Sequence, residues 1–218
     1  MALRVLVTAG PTYEKIDPVR FIGNYSTGKM GFAIAEAFAE EGAEVSLIAG
    51  PVSLSVDSPS IVRTGIESAQ EMYEAVMQRV GECDVAVFCA AVADFTPEQR
   101  SEQKIKRKGE DMLIRLRPTQ DIAAAAGSGK KSGQIFVGFA LETIDEEANA
   151  RGKMSRKGLD MIVLNSLRDE GAGFGYDTNK VTILTVEGEK TSLPLQSKAE
   201  VARHIVERVL EKIRKRGE

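Results

Sequence analysis

The stretch Gly23-Asn-Tyr-Ser-Thr-Gly28-Lys29-Met30-Gly31 holds the residue types and spacing most suggestive of chemistry in this chain. Gly23, four residues, Gly28 and Lys29 follow the spacing of a phosphate-binding loop, in which backbone N–H groups cradle phosphates and a hydroxyl after the lysine holds magnesium. Met30 stands where that hydroxyl belongs, and no obvious magnesium-holding acidic motif accompanies it. This argues against a working P-loop NTPase. A helix beginning near Lys29 would still present unpaired N–H groups and the positive end of its dipole, which suits a phosphate or carboxylate. The plainer alternative is that Ser26 or Thr27 merely caps the helix.

Other candidates are scattered along the chain. Asp94 closes the run Ala90-Ala91-Val92-Ala93 at what reads as the carboxyl end of a strand, where open α/β sheets bind ligands. Gln103–Asp111 is a basic run, QKIKRKGED, and Phe139 follows Val-Gly at another strand end. Lys153 and Lys157 are four apart, hence on one helical face. Taken locally each has an ordinary explanation: a turn cap for Asp94, solvated charge for the lysines, core packing for Phe139 and for the small Ala90 and Ala91. Asn24 would be a turn residue tolerant of positive φ, and Arg20 a surface ion-pair partner. Cys83 and Cys89 lack metal-site spacing and read as core thiols of a cytosolic protein. His204 lies in a helical stretch with no companion His, so a surface or partly packed imidazole is expected.

The elements that must position these groups alternate between strand and helix. LRVLVTAG (3–10) is a buried strand by its apolar run. KMGFAIAEAFAEEGA then spaces Phe32, Ala35 and Ala39 as a helix and stops at Gly42. EVSLIAG (44–50), a brief Ile61–Val62, DVAVFCAAVA (84–93), GQIFVGFA (133–140) and LDMIVLN (159–165) continue the strands. SAQEMYEAVMQRV (68–80), DIAAAA, Glu147–Lys157 and a closing stretch from Ser197 to Arg214 are helical. KVTILTVEGEKTSLPL (180–195) is a hairpin turning near Glu187-Gly188-Glu189. This pattern predicts a Rossmann-like α/β fold, a three-layer, mostly parallel sheet with a C-terminal hairpin extension, in one domain over 1–218. Roughly twenty residues separate Ala9 from the helix at Lys29, where such loops usually span about 2–6. A long loop there sits at the ligand-binding end of the sheet.

Composition narrows the classes further. The 218 residues are 43% hydrophobic and 28% charged, as in an ordinary soluble globular protein, and a net charge of −3 gives no reason to expect nucleic acid or anionic membrane as a partner. No apolar run approaches the roughly 20 residues that span a bilayer, and MALRVLVTAG turns polar too soon for a secretory signal. A dinucleotide-dependent oxidoreductase lacks support, because G-x-G-x-x-G is absent after strand one and LIAGPVS offers no acid for a ribose. A non-enzymatic nucleotide-binding module remains a third alternative.

Six segments together resemble one family, phosphopantothenoylcysteine synthetase: VTAGPTYEKIDPVRFIGNYSTGKMGFAIAE, AAVADF, QKIKRK, VGFALET, ARGKMSRKGLDMIVLN and FGYDTNKVTIL. They occur in the family's order and cover nearly the whole chain. The resemblance implies a cytoplasmic ligase of coenzyme A biosynthesis that joins 4′-phosphopantothenate to L-cysteine through an acyl-cytidylate, with CTP as co-substrate and magnesium. In many bacteria this domain follows a flavin-dependent decarboxylase, and the chain resembles a free-standing or excised synthetase.

On this resemblance Asn24 matches the catalytic asparagine and Lys104 the first lysine of a K-x-K-K lid within about 95–111, written here Lys104-Ile105-Lys106-Arg107. Arg20 matches a substrate-contacting arginine near a dimer interface. Ser26, Thr27, Gly28, Lys29 and Met30 would present amides to the substrate phosphate. Ala90, Ala91, Asp94, Phe139, Lys153 and Lys157 would face the nucleotide, with Asp94 also a candidate metal contact. The hairpin at 180–195 resembles the family's dimerisation element, which implies a homodimer. There are departures: Thr119-Gln120-Asp121 replaces Asn-Pro-Asp, AGPT replaces AGGT so that Pro11 lacks a backbone donor, and Ser166-Leu167 replaces Asp-Val.

Overall fold

Apolar runs interleaved with amphipathic stretches build a twisted sheet covered on both faces. The computed structural model describes residues 2–217 apart from 108, 110, 143, 167–172 and 174. β1 (Arg4–Ala9), β2 (Tyr13–Asp17), β3 (Arg20–Gly23), α1 (Lys29–Glu40), β4 (Glu44–Ala49), β5 (Ile61–Gly65), α2 (Ala69–Met77) and β6 (Val85–Phe88) come first. β7 (Phe95–Pro97), β8 (Leu116–Pro118), α3 (Ile122–Ser128), β9 (Ile135–Glu142), α4 (Glu146–Arg156) and β10 (Met161–Ser166) follow. The chain ends with β11 (Thr178–Asn179), β12 (Val181–Thr185), β13 (Lys190–Ser192), β14 (Gln196–Ser197) and α5 (Lys198–Gly217).

The eight-stranded sheet has the order β13-β12-β10-β9-β6-β1-β4-β5. It is parallel from β5 to β10 and antiparallel at β12 and β13. From β1 the chain first fills positions on one side, then returns and fills the other, so the winding reverses between β1 and β6. That reversal is where an open α/β sheet leaves a crevice for ligands. The period of two sorts the strand residues. Val5, Val7, Val45, Leu47, Val85 and Val87 pack against α1 and α5, while Leu6, Ile48, Ala86, Phe136 and Ile162 pack against the α2, α3 and α4 layer.

The predicted doubly covered sheet is present, with four refinements. The first crossover is not a plain loop: β2 and β3 form an antiparallel hairpin, stacked Tyr13 on Phe21 with ring centroids 3.8 Å apart. The strand expected over 84–93 ends at Phe88, because beyond it the backbone leaves the sheet and bonds to the start of the crossover. Ala91 N–H donates to Gly10 O at 2.9 Å, and Ala93 N–H to Thr12 Oγ1 at 2.9 Å. The span 95–111 begins with a short strand, β7, paired with β8. The hairpin at 180–195 extends the main sheet itself; β12 is largely buried and β13 forms its edge. α1 ends as foreseen, with Gly42 at φ 81 past its last turn.

Candidate functional site

The start of α1 is pressed onto the end of β1, and its glycines follow from that contact. Gly28 is the N-cap residue with φ 80 and ψ −14, so the N-cap position falls to neither Ser26 nor Thr27. Ser26 Oγ accepts from Gly28 N–H at 3.4 Å. A β-carbon on Gly28 would lie 3.1 Å from Val52, and one on Gly31 would lie 2.5 Å from the β-carbon of Ala9. The amides of Lys29, Met30 and Gly31, which no preceding helical carbonyl can reach, are thereby brought to the crevice. Met30 is buried beneath the helix, so the side chain after Lys29 packs in the core and carries no oxygen for a metal. Lys29 Nζ pairs with Asp177 at 2.5 Å.

A cavity of about 160 Å³ opens at this helix start, lined by residues 26–31, Cys89, Ala90, Ala91, 139–141, Asn165, Gly173, Asn179 and Lys198. Asn179 Nδ2 donates to Asn165 Oδ1 at 3.3 Å. Lys198 is only 7% exposed, and its ammonium donates to the carbonyls of Gly173 at 3.0 Å and Tyr176 at 2.5 Å. Burial, helped by the charge of Lys29, holds its pKa below the usual lysine range against the opposing pull of Asp177 and Cys89. Asn165, Asn179 and Lys198 were not singled out in the sequence. Each lies near a strand end or helix start, with no spacing to mark it. Cys89 lines the cavity rather than the interior alone, but burial pushes its thiol up to about 12, so it stays protonated. Cys83 is buried and likewise raised to about 12, by burial and then by Asp84. His204 is on the surface of α5, its Nδ1 3.7 Å from Glu207.

A second cavity, of about 230 Å³, lies across the sheet ends. Asp94, Thr119, Gln120, Asp121, Lys153 and Lys157 supply its polar wall, with Ala90, Phe88 and Phe139 among its apolar contacts. Its cations are partnered by carboxylates: Lys153 Nζ lies 2.6 Å from Glu142, and Lys157 Nζ lies 3.0 Å from Asp121. Asp121 also caps α3, accepting from Ala124 N–H at 3.1 Å. The unusual Thr119-Gln120-Asp121 corner thus remains part of the cavity. Among the described residues no cluster of three or more acid, histidine or cysteine side chains could hold a metal ion. Asp94 is a single exposed carboxylate and by itself offers a metal ion one protein side chain.

Ala90 and Phe139 line both cavities, so the two spaces meet at these residues. Phe139 is half-buried inside β9, three residues before its end, rather than at the strand terminus. Asn24 stands beside the junction, its Nδ2 donating to Ala91 O at 2.9 Å. It does not occupy a positive-φ turn: Asp145 is the one non-glycine residue with positive φ among the described residues. Pro11 forms a parallel bridge with Ala91 in which the adjacent Gly10 carbonyl and Thr12 N–H make the bonds, at 2.9 and 3.3 Å. Its missing donor is therefore not needed.

Arg20, Asn24 and Lys104 line neither cavity, and Asn24 is exposed. Arg20 Nη1 donates to Asp17 at 2.9 Å and Nη2 to Ile105 O at 3.2 Å, while Lys104, Lys106 and Arg107 are exposed. The structure brings together Ser26, Thr27, Gly28, Lys29, Met30, Ala90, Ala91 and Phe139 on one side, and Asp94, Lys153 and Lys157 on the other. Leu167, part of one sequence departure, lies outside the described residues.

A doubly wound α/β sheet with a helix start pressed onto its switch point defines the class: a Rossmann-like α/β protein with its cavities at the strand ends. Residues 1–213 match the family model described as DNA/pantothenate metabolism flavoprotein C-terminal domain. The chain belongs to this family. It is 46% identical over 214 residues to the coenzyme A biosynthesis bifunctional protein CoaBC of Bacillus subtilis (strain 168), covering 98% of this chain and 52% of that protein. It is 54% identical over 207 residues to a protein of an unknown prokaryotic organism named cysteine/cysteine sulfinic acid decarboxylase, covering 95% of this chain and 58% of that one. The chain thus spans little more than half the length of these curated relatives. A crystal structure of the C-terminal domain of a CoaBC protein superimposes with a TM-score of 0.83 at 41% identity, covering 98% of this chain and 96% of the other.

Proposed function

We propose that the chain is a phosphopantothenate–cysteine ligase, forming 4′-phosphopantothenoyl-L-cysteine through an acyl-cytidylate with CTP. The observation that carries this reading is the meeting of an anion-accepting cavity and a lysine-lined cavity at Ala90 and Phe139. Two phosphorylated reactants placed in them would have their reacting ends adjacent, and holding reactants together removes much of the entropic barrier to their reaction.

In the first half-reaction a carboxylate oxygen attacks the α-phosphorus, and the bond to the bridging oxygen breaks to release pyrophosphate. In the second, the cysteine amine attacks the acyl carbon, loses a proton, and expels CMP. The free amides of Lys29–Gly31 would take the substrate phosphate, supported by the buried charge of Lys198. Lys153 and Lys157 would exchange Glu142 and Asp121 for nucleotide phosphates, concentrating positive charge where negative charge builds on the departing pyrophosphate. Asn24, held against Ala91, can both donate to an acyl oxygen and accept from an incoming amine. Lys104 would reach over the triphosphate and exclude water from the mixed anhydride. Magnesium, with Asp94 as its protein contact, would offset charge on the departing pyrophosphate.

The decarboxylase in the name of the 54% identical relative describes a protein of which this chain spans 58%, and our reading gives the chain the amide-forming part. We place the ligase in the cytoplasm as a homodimer. The partner would meet either the open edge strand β13 or the exposed apolar side chains Phe21, Phe95 and Leu116. No helix among the described residues is long and apolar enough to cross a membrane. The test is pyrophosphate release with CTP, ATP, UTP or GTP, each with and without 4′-phosphopantothenate. The reading expects release that requires both the acid and CTP. Nicotinamide-nucleotide binding without CTP binding would favour an oxidoreductase, and nucleotide binding without turnover a passive module.

A further inference from the structure

The carboxylate of Asp17, at the end of β2, is fully enclosed and saturated with donors. Its Oδ1 accepts from the N–H groups of Val19 and Arg20, both at 2.9 Å, closing the turn between β2 and β3. Its Oδ2 accepts from Arg20 Nη1 at 2.9 Å and from Ile105 N–H at 3.1 Å. Arg20 Nη2 completes the clasp by donating to Ile105 O at 3.2 Å. One residue of the basic segment, Ile105, is therefore gripped at both its N–H and its C=O by an ion pair that belongs to the first-crossover hairpin. Ser101 N–H adds a third tie, to Ile16 O at 2.9 Å.

The position of the gripped residue gives this clasp its meaning. Ile105 is half-buried, while Lys104 before it and Lys106 after it are exposed. The same hairpin leads from Arg20 through β3 to Asn24, which is bonded to Ala91, a lining residue of the cavity at the start of α1. At its other end the hairpin is fixed to α2, with Tyr13 N–H on Glu67 O at 2.7 Å and Ala69 N–H on Glu14 Oε1 at 2.8 Å. Lys104 and Asn24 are thus mounted on two segments braced against each other, although they stand 80 positions apart in the sequence.

We propose that Asp17 is a positioning residue: through Arg20 and the Ile105 peptide it sets where the Lys104–Lys106 segment stands relative to Asn24, and so couples nucleotide use to the hairpin. Arg20 acts here through the backbone of the basic segment. The catalytic consequence rests on the ligase reading above; the mechanical one does not. Asp17→Asn removes the charge that holds Arg20 and Ile105. Ile105→Pro removes the donor from the exposed side and leaves the hairpin intact.

Two readouts in the full chain decide the matter. In the ligand-free protein, trypsin should cut after Lys106 about tenfold faster in either variant than in the wild type, because the segment opens more often. In pyrophosphate release, either variant should raise the KM for CTP about tenfold with a smaller effect on the KM for the acid, and the double variant should be no worse than the worse single one. Wild-type cleavage rates and CTP KM in both variants would overturn the proposal, as would effects of the two substitutions that multiply. If Asp17→Asn does not fold, Ile105→Pro alone decides by the same readouts. If the wild type releases no pyrophosphate, the ligase reading fails while the cleavage comparison still judges the clasp.

Discussion

At the scale of single residues, the role proposed for Asn24 makes the most specific mechanistic prediction. Its carboxamide is held against Ala91 O by one N–H of Nδ2. Asn24→Asp replaces that donor with an oxygen facing another oxygen. We expect amide formation to slow on the order of 100-fold, as for loss of one stabilising donor, while acid-dependent pyrophosphate release persists. Rapid-quench separation of pyrophosphate from CMP checks this, and equal loss of both would contradict the role. Lys198 gives a pH signature. Its pKa lies below the ordinary 10.5, chiefly through burial, so between the two values the unfolded chain binds more protons and stability rises with pH. A bound dianion favours the charged amine. Affinity for 4′-phosphopantothenate should therefore fall with rising pH before 10.5 is reached. Titration calorimetry should show that limb in the wild type and not in Lys198→Met.

At the scale of elements, the contact of α1 with β1 governs the anion site. Gly28→Ala forces a β-carbon into φ 80 beside Val52 and should destabilise the protein by about 1–3 kcal/mol. Gly31→Ala meets Ala9 at 2.5 Å and can be accommodated only by lifting the helix start. It should raise the KM for the acid more than that for CTP, measured alongside the melting temperature. α1, β4 and α2 were legible because their apolar spacing is local and matches one face of one element. The hairpin β2–β3 was not, because YEKID and RFIG show no clean alternation and their order comes from the Tyr13–Phe21 stack and from ties to α2. The end of β6 at Phe88 was hidden for a related reason. CAAVA is as apolar as a strand, and only its bonds to Gly10 and Thr12 draw it away from the sheet. Pro11 looked like a lost donor for the same reason. Among candidate site residues, the helix start at Lys29 could be read from the sequence, whereas Phe139 lies inside β9 and Asp94 lies beyond the end of β6 at Phe88. Lys198 and the Asp17 clasp depend on contacts made across tens of residues, which leave no spacing to read.

At the scale of the whole molecule, acid sensitivity follows from carboxylates that the fold holds charged. In Asp17 desolvation raises the pKa, but hydrogen bonds from Val19 and Ile105 and the charge of Arg20 outweigh it, and the net shift is downward. Glu147, Asp177 and Glu200 are lowered mainly by hydrogen bonds from Lys190, Lys29 and Ser197, and Glu187 is lowered despite desolvation. Such groups stabilise the fold above their unfolded pKa values, near 3.8 for Asp and 4.5 for Glu, and that stabilisation is lost as pH falls through the lower folded values. Thermal melts should therefore shift down below about pH 4. The exposed pairs should contribute less at high salt, whereas the enclosed Asp17 should not. Asp17→Asn should flatten the acid limb.

The same scale holds the central claim, that two neighbouring cavities sharing Ala90 and Phe139 let one phosphorylated acid be activated by one nucleotide before any amine is present. A single-turnover reaction of the protein with CTP and 4′-phosphopantothenate, with cysteine withheld, tests it most directly. The account expects a burst of pyrophosphate, with CMP appearing only when cysteine is added. No pyrophosphate without cysteine, or inorganic phosphate in its place, would contradict it.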